Sequence, residues 1–309
     1  MRICVLVVDD VFDTGLASIL DTFEIANELG AEKRFDVTVA SPRGRVKTHH
    51  GLTVPVAAVP ARADLAIVPA LACKQPQTIL AALDRPEVIA LTECVQKLGK
   101  RARVAAACTG TFVLGRSGVL DGRRATTTWW LGPTFRHAFP KVELDEAEMI
   151  VGDDAVITAG AALAHVDLAL AVIREKSPDL AATVAKYLLI DDRPSQAPFV
   201  VPSQVAHDDE VVKKFERWIR GRLKEPFELA KAARAVGASE RTLQRRVRAV
   251  LGKPPIGFVQ DLRLERAIHM LRVSKDSVDT IASSVGYEDG STLRALLRRK
   301  LHTGVRELR

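Results

Sequence analysis

Short, almost wholly apolar runs alternate with longer amphipathic stretches through the first 190 residues. Ile3 to Val8, Asp36 to Ala40, Leu65 to Val68, Val104 to Ala107 and Ala155 to Thr158 predict strands. Most of them lack polar alternation, the mark of strands covered on both faces of a parallel sheet. Between them, the apolar spacing of Leu16 to Leu29, Pro86 to Lys100 and Ala161 to Glu175 predicts helices. Strand and helix in alternation predict an α/β layered domain over residues 1–190.

The periodicity then fails. Residues 191–206 carry Pro194, Pro198 and Pro202 and read as a linker, which ends at an acidic helix start, His207-Asp208-Asp209-Glu210. Residues 207–309 read as helix throughout, punctuated by glycine and proline, with no strand candidate and no tandem repeat. Phe227 to Val236 predicts a helix, Gly237-Ala238 a turn, and Ser239 a cap for the next helix. That next helix is divided by face. Leu243, Val247 and Val250 fall on one side, and Arg241, Gln244, Arg245 and Arg248 follow i, i+3, i+4, i+7 spacing on the other.

The forked side chains of arginine and glutamine match guanine and adenine edges in the major groove. A solvated basic face is the bland alternative. A second unit of the same form weighs against it: Val278 to Val285 predicts a helix ended by Gly286, and Asp289 or Ser291 starts another carrying Arg294, Arg298, Arg299 and Lys300. Between the units, Phe258 to Leu271 predicts a long helix with the apolar stripe Leu264, Ala267, Ile268 and Leu271.

Charge follows this division. The 206 residues before His207 hold 22 Lys+Arg against 24 Asp+Glu, whereas the remainder holds 23 against 14. A basic module joined to a near-neutral one fits a polyanion binder attached to a sensing or assembly module. No apolar run is long enough for a membrane span and no cleavage site follows Met1, so a cytoplasmic protein with no membrane partner is expected. Cys4, Cys73, Cys94 and Cys108 are scattered, without CxxC pairs or interleaved histidines; neither a metal site, a cofactor nor a disulfide framework is expected.

The stretch from Gly237 through Arg246, then Gly252-Lys253-Pro254-Pro255, Leu262 to Ala267, Ile281-Ala282 and Val285 to Ser291, resembles the AraC/XylS-type DNA-binding domain. The resemblance implies seven helices that present two recognition helices to successive major-groove segments of double-stranded DNA. By position it assigns base reading to Arg241, Gln244 and Arg245, and to Ser291, Arg294 and Ala295 in the second unit. Ser239, Arg248 and Arg298 complete the candidate DNA-binding set. Leu293 and Leu297 stand where the family usually has phenylalanine, and weaker readout by the second unit is expected.

In the first domain, Arg103 to Ala107 is a small-residue strand that runs into Cys108-Thr109-Gly110-Thr111. A thiol on such a strand-to-helix turn is expected to have its pKa lowered by the helix amides; an inert buried cysteine is the alternative. With Gly118 to Trp130, Ile157 to Gly160 and Val166 to Leu170, the region resembles the class I glutamine-amidotransferase-like superfamily, the fold of PfpI-type proteases, in the form found in GlxA-type regulators. The implied fold class is a flavodoxin-like α/β domain followed by an all-α double helix-turn-helix domain.

The catalytic pattern is broken, however. Thr128 replaces the histidine of the Ala-Thr-Thr-His-Trp motif, and the loop after the third strand reads Val68-Pro69-Ala70-Leu71 where a glycine is usual. None of His49, His50, His137 or His165 stands at the expected position. No catalytic residue is therefore assigned. Asp13, Ala70, Cys108, Thr109, Thr128 and Trp129 are expected to line a small-molecule effector pocket at the strand ends, with oxidation of Cys108 as a rival sensing mode. Self-association as a homodimer through the first domain is expected, and RNA polymerase is retained as a candidate partner. The competing class is a cysteine-dependent hydrolase or amidotransferase-like enzyme with a DNA-binding appendage.

Overall fold

The computed structural model describes residues 1–191, 193–200, 209–301 and 304–308, and these fall into two compact units, Met1–Gln196 and Ala197–Arg309. In the first unit the chain runs β1 (Arg2–Leu6), α1 (Asp13–Leu29), β2 (Asp36–Ser41), the short strands β3 (Val46–Lys47), β4 (Thr53–Val54) and β5 (Ala57–Ala58), β6 (Leu65–Val68), α2 (Pro76–Leu83), α3 (Pro86–Leu98), β7 (Arg103–Ala107) and α4 (Gly110–Ser117). It continues with β8 (Arg124–Ala125), α5 (Gly132–Ala138), β9 (Glu143–Leu144), β10 (Ile150–Gly152), β11 (Val156–Ala159), α6 (Ala164–Lys176) and α7 (Pro178–Tyr187).

The main sheet has the order β10-β11-β7-β6-β1-β2-β5. Every pairing in it is parallel except β10 on β11. Successive side chains of a strand point to opposite faces, and this divides the core in two. Ile3 and Val5, Leu65 and Ile67, and Ala105 and Ala107 join the cluster under α1, α6 and α7. Cys4 and Leu6, Ala66 and Val68, and Val104 and Ala106 join the one under α2, α3, α4 and α5. Both faces are covered, which is why these strands read as unbroken apolar runs.

The first unit does not stop at residue 190. Met149 N donates to Pro194 O (3.0 Å) and Gln196 N to Ala147 O (2.9 Å), Ser195 bridges Glu148 in antiparallel fashion, and Arg193 pairs with Asp167 at 2.6 Å. Arg193 to Gln196, expected in the linker, are thus bonded into this unit. Their backbone finds a β-like partner that proline spacing alone cannot reveal. Of the rest of that expectation, residues 192 and 201–206, like His207-Asp208 of the helix start, lie outside the described residues.

The second unit begins with a 3-10 turn, Ala197–Phe199. The helices α8 (Glu210–Arg220), α9 (Leu229–Ala235), α10 (Glu240–Leu251), α11 (Pro255–Val273), α12 (Val278–Ser284), α13 (Gly290–Leu301) and α14 (Val305–Leu308) follow. Asp209 caps α8 by accepting from Val211 N and Val212 N. The long helix α11 serves two cores rather than one: Phe258, Val259 and Leu262 pack with α8, α9 and α10, and Leu264, Ala267 and Leu271 pack with α12 and α13.

Candidate functional site

Two regions hold the candidate residues. The first lies at the carboxyl edge of the parallel sheet, where the order reverses between β1 and β6 and an open sheet leaves a crevice. The chain leaving β1 is stitched to its neighbours: Phe12 N donates to Ala70 O (2.8 Å), Ala72 N to Asp10 O (2.9 Å) and His49 N to Val11 O (3.1 Å). Asp13 opens α1, and its Oδ2 pairs with His50 Nδ1 at 2.9 Å. Burial opposes ionisation of this carboxyl, but bonds from Thr48 and His50 outweigh it and hold the pKa below the usual range.

Cys108 occupies a left-handed turn with φ of 55° directly after β7. For a non-glycine residue this conformation costs on the order of 1 kcal/mol. Neighbouring bonds hold it: Cys108 N donates to Ala159 O at 3.0 Å, and Thr127 Oγ1 donates to Cys108 O at 2.7 Å. Gly110 completes the turn. A Cβ there would stand 2.3 Å from Val68 O and 2.7 Å from Pro69 O, so only glycine lets α4 start against the end of β6.

The sharp turn expected from the sequence is present, but the lowered thiol pKa is not. Burial pushes the Cys108 thiol up to about 12, and the nearby Thr109 and Thr128 hydroxyls oppose this only in part. The turn withholds the thiol from water, and the desolvation cost of a thiolate exceeds what the helix amides return. Thr109 hydrogen bonds to Leu71 O. Thr128 Oγ1 is buried and makes no hydrogen bond of normal geometry among the described residues.

Ala70, Cys108, Thr109 and Thr128 are all buried, with the Thr109 and Thr128 hydroxyls beside the thiol. Trp129 follows in a 3-10 turn, half-buried, with its ring edge-on to Trp130. His165, which no local pattern singles out, is bonded to Ala70. This fully buried ring accepts from Ala70 N at Nε2 (3.1 Å) and donates from Nδ1 to Ala162 O (2.6 Å). Burial drives its pKa down to about 4. With both nitrogens committed to backbone, it cannot take a proton from Cys108. It also consumes the Ala70 amide, while Pro69 has none to offer.

The second region is the pair of helices α10 and α13. Ser239 caps α10 by accepting from Thr242 N at 3.1 Å, while Asp289 begins the next helix by accepting from Thr292 N (2.9 Å) and from Ser291 Oγ (2.6 Å). Leu243 and Val247 on α10, and Leu293 and Leu297 on α13, are fully buried. The candidates Ser239, Arg241, Gln244, Arg245, Arg248, Ser291, Arg294 and Arg298 are all exposed. Ala295 is exposed as well.

Ion pairing sorts the cations by face. Arg246 is pinned to Asp209 at 3.1 Å, Lys253 to Asp261 at 2.8 Å, and Lys300 also to Asp261. Arg241, Arg245, Arg248, Arg294, Arg298 and Arg299 face outward with no carboxylate partner among the described residues. Arg263 secures the scaffold, donating to Leu223 O (2.9 Å) and Glu225 O (2.8 Å) beside the Tyr287 ring. Gly286, at φ 88°, fits under it, because a Cβ would lie 2.3 Å from Leu223 O.

A twisted parallel sheet with a strained strand-to-helix cysteine is the framework of the DJ-1/PfpI family, and the chain belongs to that family, whose model matches residues 1–175. The helical region from 232 to 309 matches a helix-turn-helix domain model, and the chain thus joins a DJ-1/PfpI domain to a C-terminal AraC-type helix-turn-helix region. It is similar to the HTH-type transcriptional regulator CdhR of Pseudomonas aeruginosa, at 28% identity over 191 residues that cover 59% of this chain and 55% of that one. The regulator GlxA of Rhizobium meliloti is 27% identical over 60% of this chain and 58% of its own. The chain thus spans little more than half the length of these curated relatives. In fold, the chain is similar to the crystal structure of an AraC family transcriptional regulator from Pseudomonas putida, with a TM-score of 0.51 at 22% identity over 60% of this chain and 98% of that one.

Proposed function

We propose that the chain is a sequence-specific DNA-binding transcription regulator. Its helical unit reads duplex DNA, and its α/β unit takes a small-molecule effector at the carboxyl edge of the sheet without catalysing a reaction. The sorting of cations on α10 and α13 carries this reading. Cations on the inward sides are neutralised by Asp209 and Asp261, whereas the outward rows of both helices keep theirs free beside Gln244. A basic surface serving only solubility has no need of that sorting, but phosphate and base-edge contacts do. Ser239 and Ser291 stand at the helix starts, where a recognition helix enters the groove.

Non-catalytic sensing is supported by the chemistry at Cys108. The thiol is held protonated, Thr128 offers no base, and His165 is fully bonded. The same burial ranks effector binding above oxidation of Cys108, because oxidants act on the thiolate. Asp13, Ala70, Thr109 and Trp129 border the same edge and complete the proposed effector site. Homodimerisation through the α/β unit would raise DNA affinity through effective concentration. A cytoplasmic location and contact with RNA polymerase belong to the same proposal. No described helix is long and apolar enough to cross a membrane.

The test is fluorescence anisotropy on duplexes from the promoter beside the protein's own gene, against scrambled DNA, across a salt series. Preference for the promoter is expected to weaken by roughly 1–3 kcal/mol in Arg245→Ala. Equal, salt-sensitive binding to both duplexes that the substitution leaves unchanged would defeat the specific-readout proposal on that operator.

A further inference from the structure

Within the helical unit, α11 changes core partway along its length. Leu262 belongs to the cluster of the first helix-turn-helix motif, α9 and α10, and Leu264 to that of the second, α12 and α13. Asp261 and Arg263 flank Leu262, and at about 100° per residue they project from nearly opposite sides of the helix. On one side Arg263 donates to Leu223 O (2.9 Å) and Glu225 O (2.8 Å), in the connection between α8 and α9, and its guanidinium lies 5.7 Å from the centroid of the Tyr287 ring in the turn of the second motif. Gly286, in that turn, meets the same connection, where a Cβ would lie 2.3 Å from Leu223 O. On the other side Asp261 accepts from two lysines at once: from Lys253 Nζ (2.8 Å), just after α10, and from Lys300 Nζ, near the end of α13.

We infer that Asp261 is a specificity-determining positioning residue: by holding Lys300 it fixes α13 relative to α10 and so sets the spacing of DNA elements that the chain accepts. The inference rests on the DNA-reading proposal above. The two lysines play different parts. Val259 and Leu262, beside Asp261, share a cluster with Leu243 and Val247 of α10, so the Lys253 pair closes the bend between α10 and α11 within one core. Lys300 belongs to α13, whose Leu293 and Leu297 pack in the other cluster, so its pair with Asp261 crosses from one core to the other. The Asp261 side chain is only 20% exposed, and an ion pair so placed is screened by salt less than one on open surface. Lys253 already orders the carboxylate, which leaves Lys300 an acceptor with little rotamer freedom to lose. Arg263 by itself holds the turn of the second motif and leaves the far end of α13 free to swing about that contact. Lys300 removes this freedom. One base pair inserted between two DNA elements moves the second by about 3.4 Å along the axis and about 35° around it, a change that helices held at both ends cannot follow.

The experiment takes the duplex that the full chain enriches from a random library, and the same duplex with one base pair inserted between its two contacted elements. Anisotropy on both is measured for wild type, Asp261→Asn, Asp261→Glu, Lys300→Met and Lys253→Met. In wild type the insertion is expected to weaken binding about 30-fold or more, the cost of two mismatched base pairs. Asp261→Asn and Lys300→Met should each reduce that penalty below about 5-fold, less than one mismatch costs. Lys253→Met should keep most of the penalty, and Asp261→Glu should restore it. The ratio between the duplexes cancels the change in net charge, which acts on both alike. A penalty in Asp261→Asn equal to that of wild type overturns the inference. So does relief by Lys253→Met as complete as that by Lys300→Met, the mark of general loosening. In parallel, spin labels at the exposed positions Glu240→Cys and Arg299→Cys, with Cys73→Ser and Cys94→Ser and with Cys4 and Cys108 buried, report the distance between α10 and α13 without DNA. One narrow distance that broadens in Lys300→Met is expected, and an unchanged distribution overturns the inference. If no duplex is enriched, the DNA reading fails, while the distance measurement still decides whether Asp261 holds the helices together.

Discussion

Acidification from pH 7 to pH 4 should destabilise the first unit by about 3 kcal/mol through His165 alone. The ring has no exposed surface, and burial lowers its pKa from 6.5 to about 4, opposed in part by the bond to Ala162 O. Each unit of difference between folded and unfolded pKa is worth about 1.4 kcal/mol, so the gap of about 2.5 units gives the figure quoted. The folded pKa is the lower one. The stabilisation is thus complete above pH 6.5, declines as the unfolded chain takes up a proton, and is gone near pH 4. Urea unfolding at pH 7.5, 6, 5 and 4.5, followed by tryptophan fluorescence in a Trp218→Phe background, would read the unit that holds Trp129 and Trp130. His165→Gln is the reference: its carbonyl can still accept from Ala70 N, and it does not titrate. Carboxylates with lowered pKa, such as Asp64 at about 2, are common to both proteins and cancel in the difference. A stability difference between the two that stays constant across this pH range would refute the assignment of a buried, neutral imidazole.

The same ring makes Gly15 intolerant. A Cβ there would lie 2.6 Å from His165 Nε2, on a ring that two backbone bonds hold in place, so Gly15→Ala should cost about 1–3 kcal/mol in thermal or urea unfolding. Iodoacetamide at pH 8 should label Cys73 and Cys94, which are partly exposed, and spare Cys4 and Cys108, whose burial raises their pKa to about 11 and about 12; mass spectrometry of the intact fold would decide this. On DNA, Arg298→Ala should lower the slope of log affinity against log salt by roughly 0.9 if that side chain reaches a phosphate. Arg246→Ala, which breaks the pair with Asp209, should leave the slope unchanged.

Legibility in the sequence followed the range of the interactions. The five strands and three helices read from apolar spacing all exist, with ends displaced by a few residues, because burial on two faces or on one stripe leaves its mark at a period of two or of 3.6. The Ser239 cap and the exposed basic faces of α10 and α13 were equally readable, because cap and face are set within one or two turns. The short strands β3, β4, β5, β8, β9 and β10 and the helices α2, α5 and α7 escaped notice. Three of these begin or carry proline near their start, as in Pro76 and Pro178, where it reads as a break although it suits a first turn. Gln196 gave no signal at all. Its partners Thr126, Thr127 and Glu148 lie 48 to 70 positions away, and no local pattern records such a bond.

The misjudged thiol shows how two local rules compete. A cysteine before a helix start suggests a lowered pKa only if water or a cation shares the site, and here the thiol is buried beside the Thr109 and Thr128 hydroxyls instead. The backbone of the turn was the part that the sequence announced: the left-handed Cys108 and the contact of Gly110 with Val68 O both belong to it. The turn's remaining product is the direction of the Cys108 carbonyl, which meets the Thr127 hydroxyl and, through Thr127, the Gln196 amide. A left-handed turn of this shape presents its carbonyl in a fixed place whatever the protonation state of the thiol.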